Sequence, residues 1–408
     1  MNLEKVLDEV RERISPGKKA FENLENVALD FVKKLSSLGV RVVVGGSLAK
    51  KTMILKRGKQ DIDIFVVFET EEETKRLKDL LCQAGFKDSI AVVHGSRDYF
   101  RIDLGLAVLE IVPVVQLKKG GRANNVTDYS IYHVDYVRSN VDKNPKIAGE
   151  ILLAKAFCRA QGFYGAESYI HGFSGYSLEV LVIHFGSFVD FLKKVGKFKV
   201  IDPKKHFKSP SEALREINAS KLSSPFVLVD PTYKYRNAVA GLSESTFNDF
   251  LLVSGEFLKS PSTEFFERPF ISRDYVKSFC KNGALFFEFN IETAREDGNV
   301  AGAKCRKFFD FFKSQLERNF QKVLASKFEY GGKGNVARAY FAIKEKKEVE
   351  VSGPPEELKD SVRKFLKKNP DAYLKKGRYY VRKKTSVAEI FEKSNLLGKE
   401  IGARAVLA

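Results

Sequence analysis

The sequence predicts an α+β fold divided among several domains. A chain of 408 residues with 44% hydrophobic content can fill more than one core. Its periodicity changes twice along the chain, from mixed strand and helix to helix alone and back again. No internal repeat or long low-complexity segment accompanies those changes.

A first domain is expected over residues 1–137. MNLEKVLDEVRERISPG puts Leu3, Val6, Leu7 and Val10 on one face of a charged amphipathic helix, which is not the pattern of a signal peptide. Strand patterns follow at Val40 to Val44 and Asp61 to Phe68, then a helix at Glu71 to Ala84 and strands near Ile90 to His94, Tyr99 to Asp103 and Ala107 to Val115. A helical central domain over 138–259 rests on Ile147 to Ala160 and on Ser174 to Lys194, where Leu178, Leu181, Val182, Phe185 and Phe188 recur at helical spacing. Within it, polar Lys204 to Ser224 leads to a strand-like Phe226 to Val229, a turn at Asp230-Pro231 and a closing helix at Ser245 to Lys259. Beyond Ser260-Pro261, residues 260–408 carry strand patterns at Ala284 to Ile291, Phe328 to Tyr330, Ala337 to Lys344 and Tyr379 to Lys383. Helices at Val300 to Leu316 and Pro355 to Lys368 alternate with them. That order resembles a ferredoxin-like or RNA-recognition (RRM-like) module, with Gly331 to Asn335 as a hairpin loop.

Lys and Arg number 70 against 52 Asp and Glu, a net charge of +18, which favours a polyanionic partner, nucleic acid first. KKGRYYVRKK, Lys375 to Lys384, interleaves basic and aromatic residues and reads either as an RNA surface or as a solvated edge strand. Cys82, Cys158, Cys280 and Cys305 stand far apart with no CxxC pair or nearby His. This argues against a zinc site and a disulfide framework and reads as core thiols in a reducing, cytoplasmic compartment. The longest apolar run, near Val108 to Val115, is broken by Glu110 and Pro113 and falls short of the roughly 18–20 residues of a membrane span, so no membrane partner is expected.

The chemistry concentrates in GGSLAKKTMILKRGKQDIDIFVVF, Gly45 to Phe68. Side chains alternate on a strand, so Asp61 and Asp63 share one face while Ile62 and Ile64 enter the core. Two adjacent carboxylates repel unless a cation lies between them, and Mg²⁺ suits their hard oxygens. The Gly46-Ser47 turn, 14 residues upstream of Asp61 when counted from Ser47, offers backbone N–H groups and a hydroxyl to a triphosphate. Lys50, Lys51 and Lys56 add positive charge there. Glu110 is the one charge in the apolar pattern AVLEIVPVV and needs a cation, a shell of hydrogen bonds or exposure. A metal is the economical choice. GFSGY around Ser174 lacks the second Gly of a nucleophile elbow and reads as a helix N-cap, and His94, His171, His184 and His206 are scattered.

Gly-Ser, a spaced Asp-x-Asp and an acid shortly before Val-Pro resemble the nucleotidyltransferase superfamily. AKAFCRAQGFYGAESYIHGFSGYSLEVLVIHFGSF and VDPTYKYRNAVAGLS narrow the resemblance to archaeal (class I) CCA-adding enzymes, closely from Val40 to Lys259 and more weakly beyond. The resemblance implies a nucleotidyltransferase palm with Asp61, Asp63 and Glu110 as catalytic, magnesium-binding acids. Gly46, Ser47, Lys50, Lys155 and Tyr164 would contact the triphosphate. His133 and Arg236 would lie near the base, with Ser130 at a small-hydroxyl position. The family usually has Arg, Asp and Thr where this chain has Lys50, Glu110 and Ser130.

The implied activity is template-independent addition of CCA to the 3′ end of tRNA from CTP and ATP, with the C-terminal module on the acceptor and T arms. The chain's assembly is left open, a homodimer being one candidate. Another template-independent polymerase, such as a poly(A) polymerase, would share the acids. A non-catalytic RNA-binding protein of the same fold is the alternative of a different class, and the complete acid set argues against it.

Overall fold

The computed structural model describes residues 2–15, 17–54, 58–95, 97–117, 123 and 125–407, with backbone only at 282. Lys56 lies outside the described residues. The chain divides into two compact units, Met1–Ala166 with Ile170–Pro269, and Glu167–Tyr169 with Phe270–Ala408.

The first unit opens with α1 (Leu3–Ile14), capped by Asn2, whose Val6, Leu7 and Val10 are buried as their spacing predicts. Arg11 of this helix reaches Glu150 at 2.7 Å. After α2 (Lys18–Ser36) come β1 (Arg41–Val44), the short α3 (Gly46–Ala49) and β2 (Gln60–Phe68). The expected helix at Glu71 to Ala84 is instead a 3-10 turn, α4 (Leu77–Leu81) and a π turn containing Gly85 at φ +88°. Then β3 (Ile90–Val93), β4 (Tyr99–Asp103) and β5 (Ala107–Val115) complete a sheet ordered β1-β2-β5-β4-β3. Within this sheet β2 and β5 run parallel and the other described pairs antiparallel. Ile62, Ile64, Leu109 and Ile111 pack with Leu24, Ala28, Phe31 and Leu35 of α2, so the opposite side chains of β2 and β5 are left to face the site.

The helical part is α5 (Ser130–Lys143), α6 (Lys146–Gln161), α7 (Gly175–Phe185) and α8 (Phe188–Lys194). The expected boundary after residue 137 falls inside α5. Ser174 caps α7, its side chain accepting from Ser177 N. The single helix expected over Ser174 to Lys194 breaks at Gly186, φ +86°, and Ser187 caps the helix that follows. A small sheet, β6 (Val200–Ile201), β7 (Val227–Asp230) and β8 (Tyr233–Asn237), takes α9 (Pro210–Glu216) between β6 and β7 and is followed by α10 (Glu244–Lys259). Residues 260–269 stay with this unit rather than joining the C-terminal one. Gln161 donates to the carbonyls of Phe265 and Arg268, and Phe265 and Phe266 pack on Phe157.

The second unit contains α11 (Arg273–Ser278), β9 (Leu285–Glu292), α12 (Gly298–Arg318), β10 (Lys322–Glu329) and β11 (Val336–Lys344). It continues with β12 (Glu348–Pro355), α13 (Lys359–Lys368), β13 (Tyr373–Lys375), β14 (Arg378–Lys384), α14 (Val387–Ile401) and β15 (Arg404–Leu407). The antiparallel sheet β10-β11-β9-β15 has α12 and α14 on one face, around Phe289, Phe308, Phe312, Phe341 and Phe391. A separate sheet, β12-β14-β13, holds β14 at its centre, which overturns the edge-strand reading for Arg378–Lys384, while Lys375 lies on the edge strand β13. Pro355 ends a strand rather than starting a helix. The hairpin expected at Gly331 to Asn335 joins β10 and β11.

All four cysteines are free; Cys158 and Cys305 are buried, whereas Cys82 and Cys280 are half-buried rather than core. Among the described residues no single helix is long and apolar enough to cross a membrane.

Candidate active site

Strand register builds the acidic face. Asp63 on β2 stands opposite Glu110 on parallel β5, and Glu110 stands opposite Arg101 on β4, so three charged side chains form one row across three strands. Asp61 lies two residues earlier on the same face. All three acids are half-buried while Ile62, Ile64, Leu109 and Ile111 are fully buried behind them. Asp103 belongs elsewhere: it pairs with Lys59 and accepts from Gly105 N at a turn, and the Lys59 partner lowers its pKa.

The turn before α3 meets this face at close range. Gly46 has φ +57°, and a Cβ there would stand 1.7 Å from Asp63 Oδ2, so both backbone and space require glycine. A cavity of about 240 Å³ brings Ser47, Asp61, Asp63, Glu110, Lys155 and Tyr164 together. Thr52, Gln60 and Arg159 also line it and were not expected from sequence. Arg159 stacks its guanidinium over the Tyr164 ring, 5.1 Å from the centroid.

Lys50 does not line the cavity. It is buried and ion-paired at 2.7 Å to Glu179 of α7, a residue that sequence reasoning passed over. Lys155 binds the other Glu179 oxygen at 2.6 Å, and Thr52 Oγ1 donates to that same oxygen at 2.7 Å. Burial would push the Glu179 carboxyl up, but Lys155 and Lys50 outweigh it and hold it at about 2.

His133, Arg236 and Ser130 are likewise outside the cavity wall. Buried Asp230, at the end of β7, accepts from Arg236 Nη1 at 2.6 Å and from Tyr176 Oη at 2.9 Å, and its Oδ2 lies 3.0 Å from His133 Nε2. Burial opposes its charge, but His133, Arg236 and Thr232 hold the Asp230 carboxyl well below the usual range. His133 stacks on Tyr176 at 3.9 Å, and Arg236 lies 5.7 Å from the centre of the same ring. Ser130 is the first residue of α5 and half-buried.

Two stretches of the chain match models of known protein families. A model of the nucleotidyltransferase domain matches residues 26–96, and one of the tRNA nucleotidyltransferase second domain matches 149–267. The CCA-adding enzyme of Nanoarchaeum equitans is 30% identical over 93% of this chain and 94% of its own length. That of Thermococcus gammatolerans is 30% identical over 98% and 92%. The chain belongs to the CCA-adding enzyme family. A third member, from Methanocaldococcus jannaschii, is 26% identical over 92% of the chain and 86% of its own length. The solved structure of a cytoplasmic RNA terminal U-transferase, 14% identical, superposes with a TM-score of 0.51 over 65% of this chain and 98% of its own, a likeness of fold.

Nucleotidyltransferases of this kind use divalent metal ions. Asp61, Asp63 and Glu110 suit one in donor chemistry: hard oxygens on a single face, two of them at paired register positions. As they stand, no three acid, His or Cys side chains among the described residues close on one point. Arg101 holds positive charge beside them, Nε 3.4 Å from Glu110 Oε1 and Nη2 3.8 Å from Asp61 Oδ1.

Proposed function

We infer that this member of the CCA-adding family adds CCA to the 3′ end of tRNA without a template, from CTP and ATP, releasing pyrophosphate. The observation that carries the reading is one cavity shared by Asp61, Asp63 and Glu110 with Ser47, Lys155 and Tyr164. Asp61, Asp63 and Glu110 would hold two divalent ions, magnesium in our reading, for in-line attack of the tRNA 3′-hydroxyl on the nucleotide α-phosphate. Such ions would supply the Lewis acidity that lowers the pKa of that hydroxyl and neutralises charge on the phosphates. Ser47 holds the triphosphate through its hydroxyl and Lys155 faces it with its charge, while the bare Gly46 lets the turn lie against Asp63. Without a template, the choice between CTP and ATP rests on hydrogen bonds to the base edge. His133 and Arg236, with Ser130 nearby on α5, are our candidates. The Arg236 fork has five donors, so holding Asp230 with Nη1 leaves others for a base.

The proposal gives catalysis to residues 1–137, nucleotide recognition to the helical part and tRNA grip to the second unit. The order β9-α12-β10-β11-α14-β15, with sheet order β10-β11-β9-β15, supports reading that unit as ferredoxin-like with an inserted three-stranded sheet. The net charge of +18 and the basic β14 support a grip on the acceptor and T arms through phosphates and shape. The free thiols support a cytoplasmic setting. The homodimer is read by light scattering of the purified protein.

The deciding experiment incubates tRNA lacking its last three nucleotides with CTP alone and with CTP plus ATP, then sequences the ends. The reading requires two C residues in the first case and CCA in the second. A tail of A residues would favour a poly(A) polymerase, and no pyrophosphate with any RNA and nucleotide would favour a binding protein.

A further inference from the structure

We propose that Glu179 is a positioning residue for nucleotide capture, fixing the place of Lys155 at the cavity wall and opposing the loss of its charge there; this rests on the reading of that cavity as the triphosphate site. Glu179 lies within α7, shortly after its Ser174 cap, and has no exposed surface. An ionised carboxylate at such depth persists only with counter-charges and hydrogen bonds around it.

Both are present. Glu179 Oε2 accepts from Lys50 at 2.7 Å, while Oε1 accepts from Lys155 at 2.6 Å and from Thr52 Oγ1 at 2.7 Å. An ammonium has three protons, and Lys155 directs its own to Glu179 Oε1 and, at 3.0 Å each, to the Thr52 carbonyl and Oγ1. Its position is therefore fully determined before any nucleotide arrives, which is the condition for preorganised charge. Lys50 and Thr52 follow the phosphate turn, whereas Lys155 and Glu179 sit on α6 and α7, so one carboxylate ties the turn to the helices. Burial works against the Lys155 charge and Lys50 repels it, while Glu179 supports it, so the carboxylate is what keeps positive charge at the wall where Lys155 lines the cavity. Gly175 adds to the fit: a Cβ there would stand 2.7 Å from Tyr164 Oη and 3.9 Å from Lys155 Cε, so the start of α7 is bare where those two cavity-lining side chains run.

Glu179→Gln keeps the shape but leaves two neighbouring ammoniums without an anion. Binding of CTP and of ATP is measured by titration calorimetry on the full chain without tRNA, from pH 6.5 to 9, alongside steady-state extension of tRNA. The expected result is nucleotide affinity weakened by about tenfold or more, the scale of one displaced positive charge close to a polyphosphate. KM for nucleotide follows, kcat changes little, and affinity falls further as pH rises because Lys155 gives up its proton more readily. Glu179→Asp, still charged but a methylene shorter, returns the pH dependence to that of the wild type while remaining weaker. Thr52→Val keeps every charge and weakens binding less, with the pH dependence of the wild type, and it carries the test if Glu179→Gln does not fold. Unchanged nucleotide affinity in these variants with only a lower melting temperature would make Glu179 a structural strut and overturn the proposal. So would a fall in kcat at unchanged affinity. Wild-type protein that binds CTP yet never extends tRNA would instead remove the functional reading.

Discussion

Glu110 and Asp103 sit on neighbouring strands, and their surroundings separate them. Glu110 shares a register row with Asp63, whereas Asp103 is exposed and occupied by Lys59 and Gly105. Glu110→Ala is expected to lose several orders of magnitude in single-turnover CTP incorporation, the scale of losing a metal-held nucleophile, while Asp103→Ala keeps most activity across a magnesium titration. Equal losses in the two variants would show the third acid to be misassigned. His133 offers a second measurement. Burial, only partly opposed by Asp230, keeps its imidazole below the ordinary value of about 6.5. Acidification therefore protonates His133 in the unfolded chain first, so stability present above about pH 6.5 is lost below it, at up to about 1.4 kcal/mol per pH unit for one proton. Urea unfolding from pH 7.5 to 5.5 should show a shallower slope for His133→Asn than for wild type; parallel slopes would mean that His133 titrates alike in both states.

Gly186 separates α7 from α8 in the left-handed region at φ +86°, with open space where a side chain would go. Gly186→Ala should cost about 1–2 kcal/mol through backbone strain alone, read as a lower denaturation midpoint at unchanged nucleotide affinity. A single glycine within an apolar helical pattern weakens that pattern by only about 1 kcal/mol, which is why the break was not legible in the sequence. The palm strands were legible because Ile62, Ile64, Leu109 and Ile111 alternate cleanly with the acids. β10 was cut short to Phe328 to Tyr330 because its flanking residues, Lys322 to Lys327, are half-exposed and mixed in character. α14 and β15 went unrecognised, although Val387, Ile390, Phe391 and Ser394 mark a buried face at helical spacing. Within the site, Ser47, Asp61, Asp63, Glu110, Lys155 and Tyr164 were legible from the Gly-Ser and Asp-x-Asp spacing, the lone charge in β5 and the family resemblance, whereas Thr52, Gln60 and Arg159 were not. Glu179 was missed even though it is the one acid in the apolar GYSLEVLVIHF, the same signal that singled out Glu110. The pairing of Lys50 with Glu179 depends on a contact between segments far apart in sequence, which spacing alone cannot reveal.

Across the whole molecule, excess positive charge sets how RNA is met. A protein making roughly 6–10 phosphate contacts on duplex DNA loses about 10³–10⁵ in affinity between about 50 and 200 mM salt, and tRNA binding by this chain, with its net charge of +18, should fall steeply in the same range. A dissociation constant indifferent to salt would exclude a backbone-dominated grip. The second unit also carries a seam. Residues 348–384 form their own sheet and helix, and the chain leaves and rejoins the larger sheet at almost the same place: Thr385 N donates to the Lys347 carbonyl at 3.0 Å, and Val387 N to Glu345 Oε1 at 3.0 Å. Ends pinned so closely make the piece removable, because a two-residue bridge can span them with little loop-closure entropy. A chain with Gly-Ser in place of 348–384 should keep slow amide exchange in β9 and β11, and rapid exchange there would show the two sheets to be one cooperative body. The segment is in that sense a cassette, open to exchange between relatives or to lengthening without redesign of the core beneath it.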